Sequence, residues 1–259
     1  MKRRFNGHTD TGVMRAVNQD SYYYDPQGRF FIVADGMGGH AGGQEASKIA
    51  TETISNYLEQ YWESDIESET LLKQAVEEAN EKILEDQQTH LERAEMGTTV
   101  VVVIFRNQKC WCAHVGDSRL YLWRQNELTP LTEDHTWVAW ALKSGTISRE
   151  EAAIHPWRHV LSQCLGRKEL YSIDIDFLNI QPGDRLLLCS DGLTGEVSEE
   201  EITSYINSME TCEEAVTKLI ETAKANGGSD NITVIMVEEG ETEASFSAQD
   251  GKDTLSSEY

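Results

Sequence analysis

The chain has 259 residues, with 45 acidic side chains against 22 basic ones and a formal charge of −23. That length allows a sizeable core without covalent staples, and that charge repels nucleic acid and anionic membranes at long range, so neither is expected as a partner. No run approaches the roughly 18–20 apolar residues of a membrane span, and the basic start MKRRFNGHTD has no apolar stretch behind it, so no secretory signal is expected and a cytoplasmic location follows.

In chain order, an apolar run Phe30-Phe31-Ile32-Val33-Ala34 reads as a strand and leads into the glycine-rich ADGMGGHAGG. Residues 43–62 carry Ala46, Ile49, Ala50, Ile54 and Leu58 at helical spacing, and a second helical period begins near Thr70 after the acidic turn ESDIES. From Gly97 the texture changes to strands, GTTVVVVIFR, KCWCAHVG and SRLYLWR, with Gln125-Asn126 as the next turn. Residues 134–170 read as short helices and loops; YSIDIDFLNI and DRLLLCS follow as strands, then two helices over about 198–225 and a last strand, NITVIMVEE. The polar, acidic residues 241–259 are expected to be disordered, leaving one domain over 1–240. The order predicts an α+β fold with two layers of mostly antiparallel sheet covered by helices. Cys110, Cys112, Cys164, Cys189 and Cys212, an odd number without a C-x-x-C pair, read as buried free thiols, with Cys110 and Cys112 on one strand face.

Gly36-Met37-Gly38-Gly39-His40-Ala41 fits the dinucleotide fingerprint G-x-G-x-x-A. A dinucleotide fold, however, needs a second parallel strand within about 30 residues, with an acidic residue for the ribose. Here two helices follow instead, and Asp35 would set a like charge against a pyrophosphate. Other hydrolytic designs are absent: no cysteine begins a C-x5-R, and there is no G-x-S-x-G elbow, Walker A loop or His-Cys zinc spacing. What recurs is an aspartate beside a small residue at a strand boundary: Asp20, Asp35, Asp117, Asp191 and Asp230. Five such carboxylates facing one cleft would repel one another unless cations neutralised them, and hard oxygen donors select magnesium or manganese. Taken singly, each Asp-Gly pair also fits an ordinary turn.

The segments Arg15-x-x-Asn18-Gln19-Asp20, Val33-Ala34-Asp35-Gly36-Met37-Gly38-Gly39, Gly97-Thr98-Thr99, Val115-Gly116-Asp117-Ser118-Arg119, Ser190-Asp191-Gly192-Leu193 and Ser229-Asp230-Asn231-Ile232-Thr233 occur in an order that resembles metal-dependent serine/threonine phosphatases of the protein phosphatase 2C family. The likeness runs from about residue 5 to 238, and DGMGGH with HPWRHVLSQCLGR is similar to the compact bacterial branch, especially its cyanobacterial members. The resemblance implies a four-layer α-β-β-α sandwich with a flap, about 134–165, beside a metal cleft. It implies a centre of two Mn2+ or Mg2+ ions held by Asp20, Asp35, Asp191, Asp230 and the main-chain oxygen of Gly36, with Asp117 sharing Asp191 at a third ion. A bridging water would then attack phosphorus in line. Arg15 matches the phosphate-binding arginine, for which an ordinary ion pair is the alternative, and His40 is the candidate to protonate the leaving oxygen. The resemblance also implies a phosphoprotein substrate, with a PII-type signalling protein or an autophosphorylated kinase as candidates, and a monomer. Trp137, Trp140, Trp157, His155 and His159 load the flap with aromatic and imidazole groups. Trp157 and His159 are the candidates for recognising substrate, and packing of the tryptophans onto the sheet is the alternative. A catalytically inactive binding module of the same fold is the competing function, and retention of all five aspartates speaks against it.

Overall fold

The computed structural model describes residues 2–39 and 42–240. His40 and the 241–259 tail therefore lie outside the described residues. Among the described residues eleven strands form two sheets, in which every pairing is antiparallel. The first has the order β1 (Arg4–Asp10), β11 (Ile232–Glu238), β10 (Arg185–Cys189), β7 (Arg119–Arg124), β8 (Glu127–Pro130). The second runs β2 (Asp20–Tyr24), β3 (Phe30–Met37), β5 (Val100–Arg106), β6 (Lys109–Val115), β9 (Asp174–Leu178), with the short β4 (Gly97–Thr98) on the far end of β3.

Three apolar layers hold this together. Alternate residues of β3 and β5 point to opposite faces. Phe30, Ile32, Val100 and Val102 meet the helices α1 (Gly42–Tyr61) and α2 (Ser68–Thr89), whose buried stripes are Ala46, Ala50, Ile54, Leu58 and Leu71, Ala75, Ala79, Ile83. Phe31, Val33, Val101 and Val103 meet Leu186, Leu188, Ile235 and Val237 of the other sheet. The outer face of that sheet packs on α6 (Glu199–Ser208) and α7 (Cys212–Asn226), each opened by a capping box, at Ser198/Glu201 and Thr211/Glu214. The α-β-β-α sandwich is thus present. All five cysteines are buried and free, and Cys110 and Cys112 share the inter-sheet layer. Among the described residues no helix is long and apolar enough to cross a membrane.

Gln125 and Asn126 form the β7–β8 turn with φ of 53° and 69°, as the sequence predicts. Three features differ from the sequence reading. β1 was not foreseen; it is half-buried along its length and lacks a continuous apolar face. Asp35 is not at a strand end, because β3 continues through Gly36 to Met37 and pairs there with β4. Asp191 opens a short helix, α5 (Asp191–Thr194), so neither Asp35-Gly36 nor Asp191-Gly192 is a turn.

The connection between α1 and α2 depends on one buried side chain. Arg106, 4% exposed, donates Nε to Trp62 O at 2.8 Å, Nη1 to Ile66 O at 2.5 Å, and Nη2 to Ser64 O. Arg106→Ala leaves those carbonyls unsatisfied and is expected to cost about 2 kcal/mol, a fall of roughly 4–8 °C in Tm for a chain of this size. Calorimetry of the variant checks this; an unchanged Tm would show that water replaces the guanidinium without loss.

Candidate metal centre

Four of the five aspartates, Asp35, Asp117, Asp191 and Asp230, line one cleft of about 1160 Å³ together with Arg15, Gly36 and His159. Asp20 lies buried beneath it. The convergence is a product of stacking. Asp20 and Asp35 face each other as register partners on β2 and β3, and Asp117 follows β6 in the same sheet. Asp191 and Asp230 come from the other sheet, after β10 and before β11.

A layer of hydroxyls and amides fixes this constellation. Asp20 Oδ2 accepts from Ser190 Oγ at 2.7 Å and Thr233 Oγ1 at 2.6 Å, while its buried Oδ1 has no partner. Asp191 Oδ1 is likewise buried without one. The Asp35 peptide is clamped by the Gly97-Thr98-Thr99 stretch: its N–H donates to Thr99 Oγ1 at 3.0 Å, and its C=O accepts from Thr99 N and Thr98 Oγ1, both at 2.9 Å. Asn231 gathers the loop that carries Arg15. Its Nδ2 donates to Thr11 O at 2.9 Å and Val17 O at 3.0 Å, and its Oδ1 accepts from Gln19 N at 2.8 Å. Arg15 Nη2 sits 2.7 Å from Asp230 Oδ2. The ion-pair alternative for Arg15 is therefore realised, but inside the cleft and with a candidate ligand.

Burial and mutual repulsion raise the carboxyl pKa values. Asp20 is pushed up to about 7 by desolvation and by Asp191 and Asp230, against the hydroxyls that oppose the shift. Desolvation and Asp191 push Asp117 to about 7, and desolvation with the charges of Asp20 and Asp191 raises Asp35 well above the carboxylate range. The cluster is thus short of positive charge. Two buried, unpartnered carboxylate oxygens, an all-oxygen donor set and no imidazole or thiol among the candidate ligands fit hard divalent cations such as Mg2+ or Mn2+.

The glycines of the ADGMGGHAGG stretch have separate reasons. A Cβ on Gly36 would lie 1.9 Å from Gly43 O, and one on Gly43 would lie 2.5 Å from Gly36 O. The end of β3 and the first turn of α1 therefore touch backbone to backbone, and Gly38 adopts φ +129°, which favours glycine. Among the described residues nothing lies within 4 Å of a Cβ built on Gly39.

The flap is closed at its base by His135–Trp137 against Val160–Ser162 and carries α3 (Trp137–Lys143) and α4 (Arg149–Ala153). His159 Nδ1 lies 3.6 Å from Asp191 Oδ2, and contact with that carboxylate raises the imidazole pKa. Trp157 is 53% exposed and is not in the cleft wall. Rather than packing onto the sheet, it meets Trp137 edge-on at 5.1 Å, and Trp137 in turn stacks on His155 at 4.7 Å. Sequence reasoning missed His135, which grips both backbone groups of Gly116 just before Asp117. Its Nδ1 accepts from Gly116 N at 3.1 Å, and its own N–H donates to Gly116 O at 2.8 Å.

A family model described as protein phosphatase 2C matches residues 9–233. The serine/threonine phosphatase stp of Listeria monocytogenes serotype 4b is 37% identical over 239 residues, covering 89% of this chain and 93% of that protein. The crystal structure of the serine/threonine phosphatase PstP/Ppp of Mycobacterium tuberculosis aligns with a TM-score of 0.85 at 34% identity, over 92% of this chain and 99% of that one. A PstP catalytic domain in complex with two manganese ions aligns at 0.82 and 33%, with 92% and 99% covered. Motif order, sandwich and carboxylate cleft agree with these likenesses, and the chain belongs to the protein phosphatase 2C family.

Proposed function

We propose that this chain hydrolyses phosphoserine and phosphothreonine in proteins, as a bacterial signalling phosphatase dependent on Mn2+ or Mg2+. The observation that carries the reading is the meeting of carboxylates from two sheets in and beneath one cleft, with Asp20 Oδ1 and Asp191 Oδ1 buried and unpaired. Asp20, Asp35, Asp191, Asp230 and the Gly36 carbonyl would hold two cations, and Asp117 with Asp191 a third. Bound there, the cations would stabilise charge on the phosphoryl oxygens and ease deprotonation of water. Arg15, whose planar fork matches an anion, would bind and orient the phosphoryl group by exchanging part of its contact with Asp230. Water attacks phosphorus in line, and the serine or threonine oxygen leaves with a proton that His40 is proposed to donate. His159, whose imidazole pKa is raised by contact with Asp191, would face the protein around the phosphoresidue; we assign Trp157 to the same task more distantly, through the flap's aromatic cluster.

The substrate is a phosphoprotein, and a PII-type signalling protein or an autophosphorylated kinase suits the reading. A cytoplasmic monomer, with the catalytic unit over 1–240 and a tail beyond it, completes it. The test is hydrolysis of a phosphoserine peptide and an aryl phosphate in manganese and then in chelator. Activity indifferent to chelator contradicts the mechanism, and none in either condition favours the inactive binding module. His159→Ala is expected to lower kcat/KM on a phosphoprotein by roughly three- to tenfold, the size of one charge-assisted contact, with a smaller loss on the aryl phosphate. Equal losses would remove the recognition role.

A further inference from the structure

We infer that His114, His135 and Asp174 form a metal site separate from the carboxylate cleft, for one borderline cation such as Zn2+. One donor atom from each of the three lies within 4.8 Å of the others, and none of the three lines the cleft. The fold assembles them from distant segments. His114 on β6 and Asp174 on β9 are register partners, so their side chains share a face of the sheet. His135 reaches them from the base of the flap, its ring centroid 4.7 Å from that of His114 at a tilt of 34°.

His114 is the member that calls for a ligand. It is 1% exposed, and among the described residues neither Nδ1 nor Nε2 has a hydrogen-bond partner. Buried polar groups in folded proteins are almost always hydrogen-bonded. The stacked contact with His135 covers a face of the ring and leaves the nitrogens in its plane unsatisfied. Burial and His135 lower the His114 pKa to about 4, against the opposing pull of Asp134, Asp174 and the Gly116 backbone. The ring is therefore neutral at pH 7, and a cation meets no competing proton at its open lone pair.

His135 and Asp174 supply the other half. His135 Nε2 lies 3.2 Å from Asp174 Oδ2, and because Nδ1 accepts from Gly116 N, the hydrogen of the neutral ring sits on Nε2. Donors around a tetrahedral cation at about 2.0–2.1 Å stand roughly 3.3–3.4 Å apart. This pair already has that spacing, and side-chain rotations close the remaining gap to His114. The Asp174 side chain is 47% exposed, which gives an entry path and leaves room for water as a fourth ligand. Two imidazoles with one carboxylate suit Zn2+, whereas Mg2+ and Mn2+ favour all-oxygen sets such as the cleft. When the cation takes Nε2, the ring proton moves to Nδ1 and the Gly116 N–H loses its acceptor. Occupancy is thereby felt in the backbone next to Asp117.

The test is titration of the full chain with Co2+, a spectroscopic stand-in for Zn2+ whose tetrahedral complexes absorb far more strongly in the visible than octahedral ones. The wild type is expected to show a tetrahedral band that saturates near one equivalent and bleaches when Zn2+ is added. The variant Asp35→Asn/Asp191→Asn, altered only in the cleft, should keep that band. Asp174→Asn and His114→Ala should each weaken binding by at least about tenfold. Should the buried His114→Ala fail to fold, Asp174→Asn carries the comparison, since its side chain is half-exposed. In 1H–15N spectra taken with Zn2+, the Gly116 amide should shift with the same midpoint. The inference is overturned if no tetrahedral band forms, or if Asp174→Asn leaves it unchanged. It is equally overturned if the band vanishes in Asp35→Asn/Asp191→Asn, or if a Co2+–thiolate charge-transfer band assigns the ion to a cysteine. An unmoved Gly116 amide removes His135 from the site. None of these readouts needs turnover, so they are distinct from failure of the phosphatase reading, which shows as absent hydrolysis in manganese.

Discussion

Exchanging Asp35 and Asp191 together for asparagine is expected to leave a folded protein whose turnover of a phosphoserine peptide in manganese falls by more than about a hundredfold. Losing groups that merely orient metal ligands costs 10–100-fold, and these two side chains are the proposed ligands themselves. Stability should move the other way. In the metal-free wild type burial, joined by the charge of neighbouring carboxylates, raises the pKa values of Asp20, Asp35 and Asp117, so ionised carboxyl groups here oppose folding. Asparagines at 35 and 191 never ionise and avoid that penalty, so the double variant should keep or raise Tm. Manganese at about 100 times its Kd adds roughly 2.7 kcal/mol to a protein that binds it only when folded, or about 5–10 °C. The wild type should show that rise and the double variant should not. Full turnover in the variant, or an intact thermal response to manganese, would remove the metal centre from this cleft.

Gly36→Ala carries the second large effect, and it reaches the site through the backbone. The new methyl would have to occupy space 1.9 Å from Gly43 O and 2.6 Å from Gln19 O. Backbone cannot yield as a flexible side chain does, so the end of β3 must part from α1, at a cost of roughly 3 kcal/mol or more. Asp35 then loses its aim, and manganese binding and turnover should fall with stability. Gly39→Ala is the control in the same loop: among the described residues nothing stands near its Cβ, and an effect within about 0.5–1 kcal/mol is expected. Denaturant melts of the two variants decide the matter. Equal losses would mean that the loop needs general flexibility and not one backbone contact.

Much of the architecture was legible in the chain because it follows from local periodicity. The stripe Ala46-Ala50-Ile54-Leu58 repeats once per turn and could only be a helix face. The unbroken Val100–Ile104 run, buried on both sides between the helices and the second sheet, reads as a central strand. β1 was not legible, because a half-buried edge strand of mixed polarity carries neither signal. The five aspartates were legible as a recurring pattern at strand boundaries, but their roles came only through motif resemblance, since a single Asp-Gly is locally indistinguishable from a turn. Trp157 shows the converse limit: composition marked the flap as aromatic, yet the rings satisfy one another instead of the sheet.

The sequence by itself determined most of the helices and the central strands, that the cysteines are free, and which oxygen-bearing side chains are short enough to serve a hard cation. Only the tertiary structure decided that Asp20 and Asp35 of one sheet meet Asp191 and Asp230 of the other, and that Asn231 and His135 hold the loops around them. The physical reason is range. Periodicity is written in neighbours a few residues apart, whereas these contacts join groups up to 220 positions apart in the chain, and only the burial of the inter-sheet apolar layer brings them within hydrogen-bonding reach.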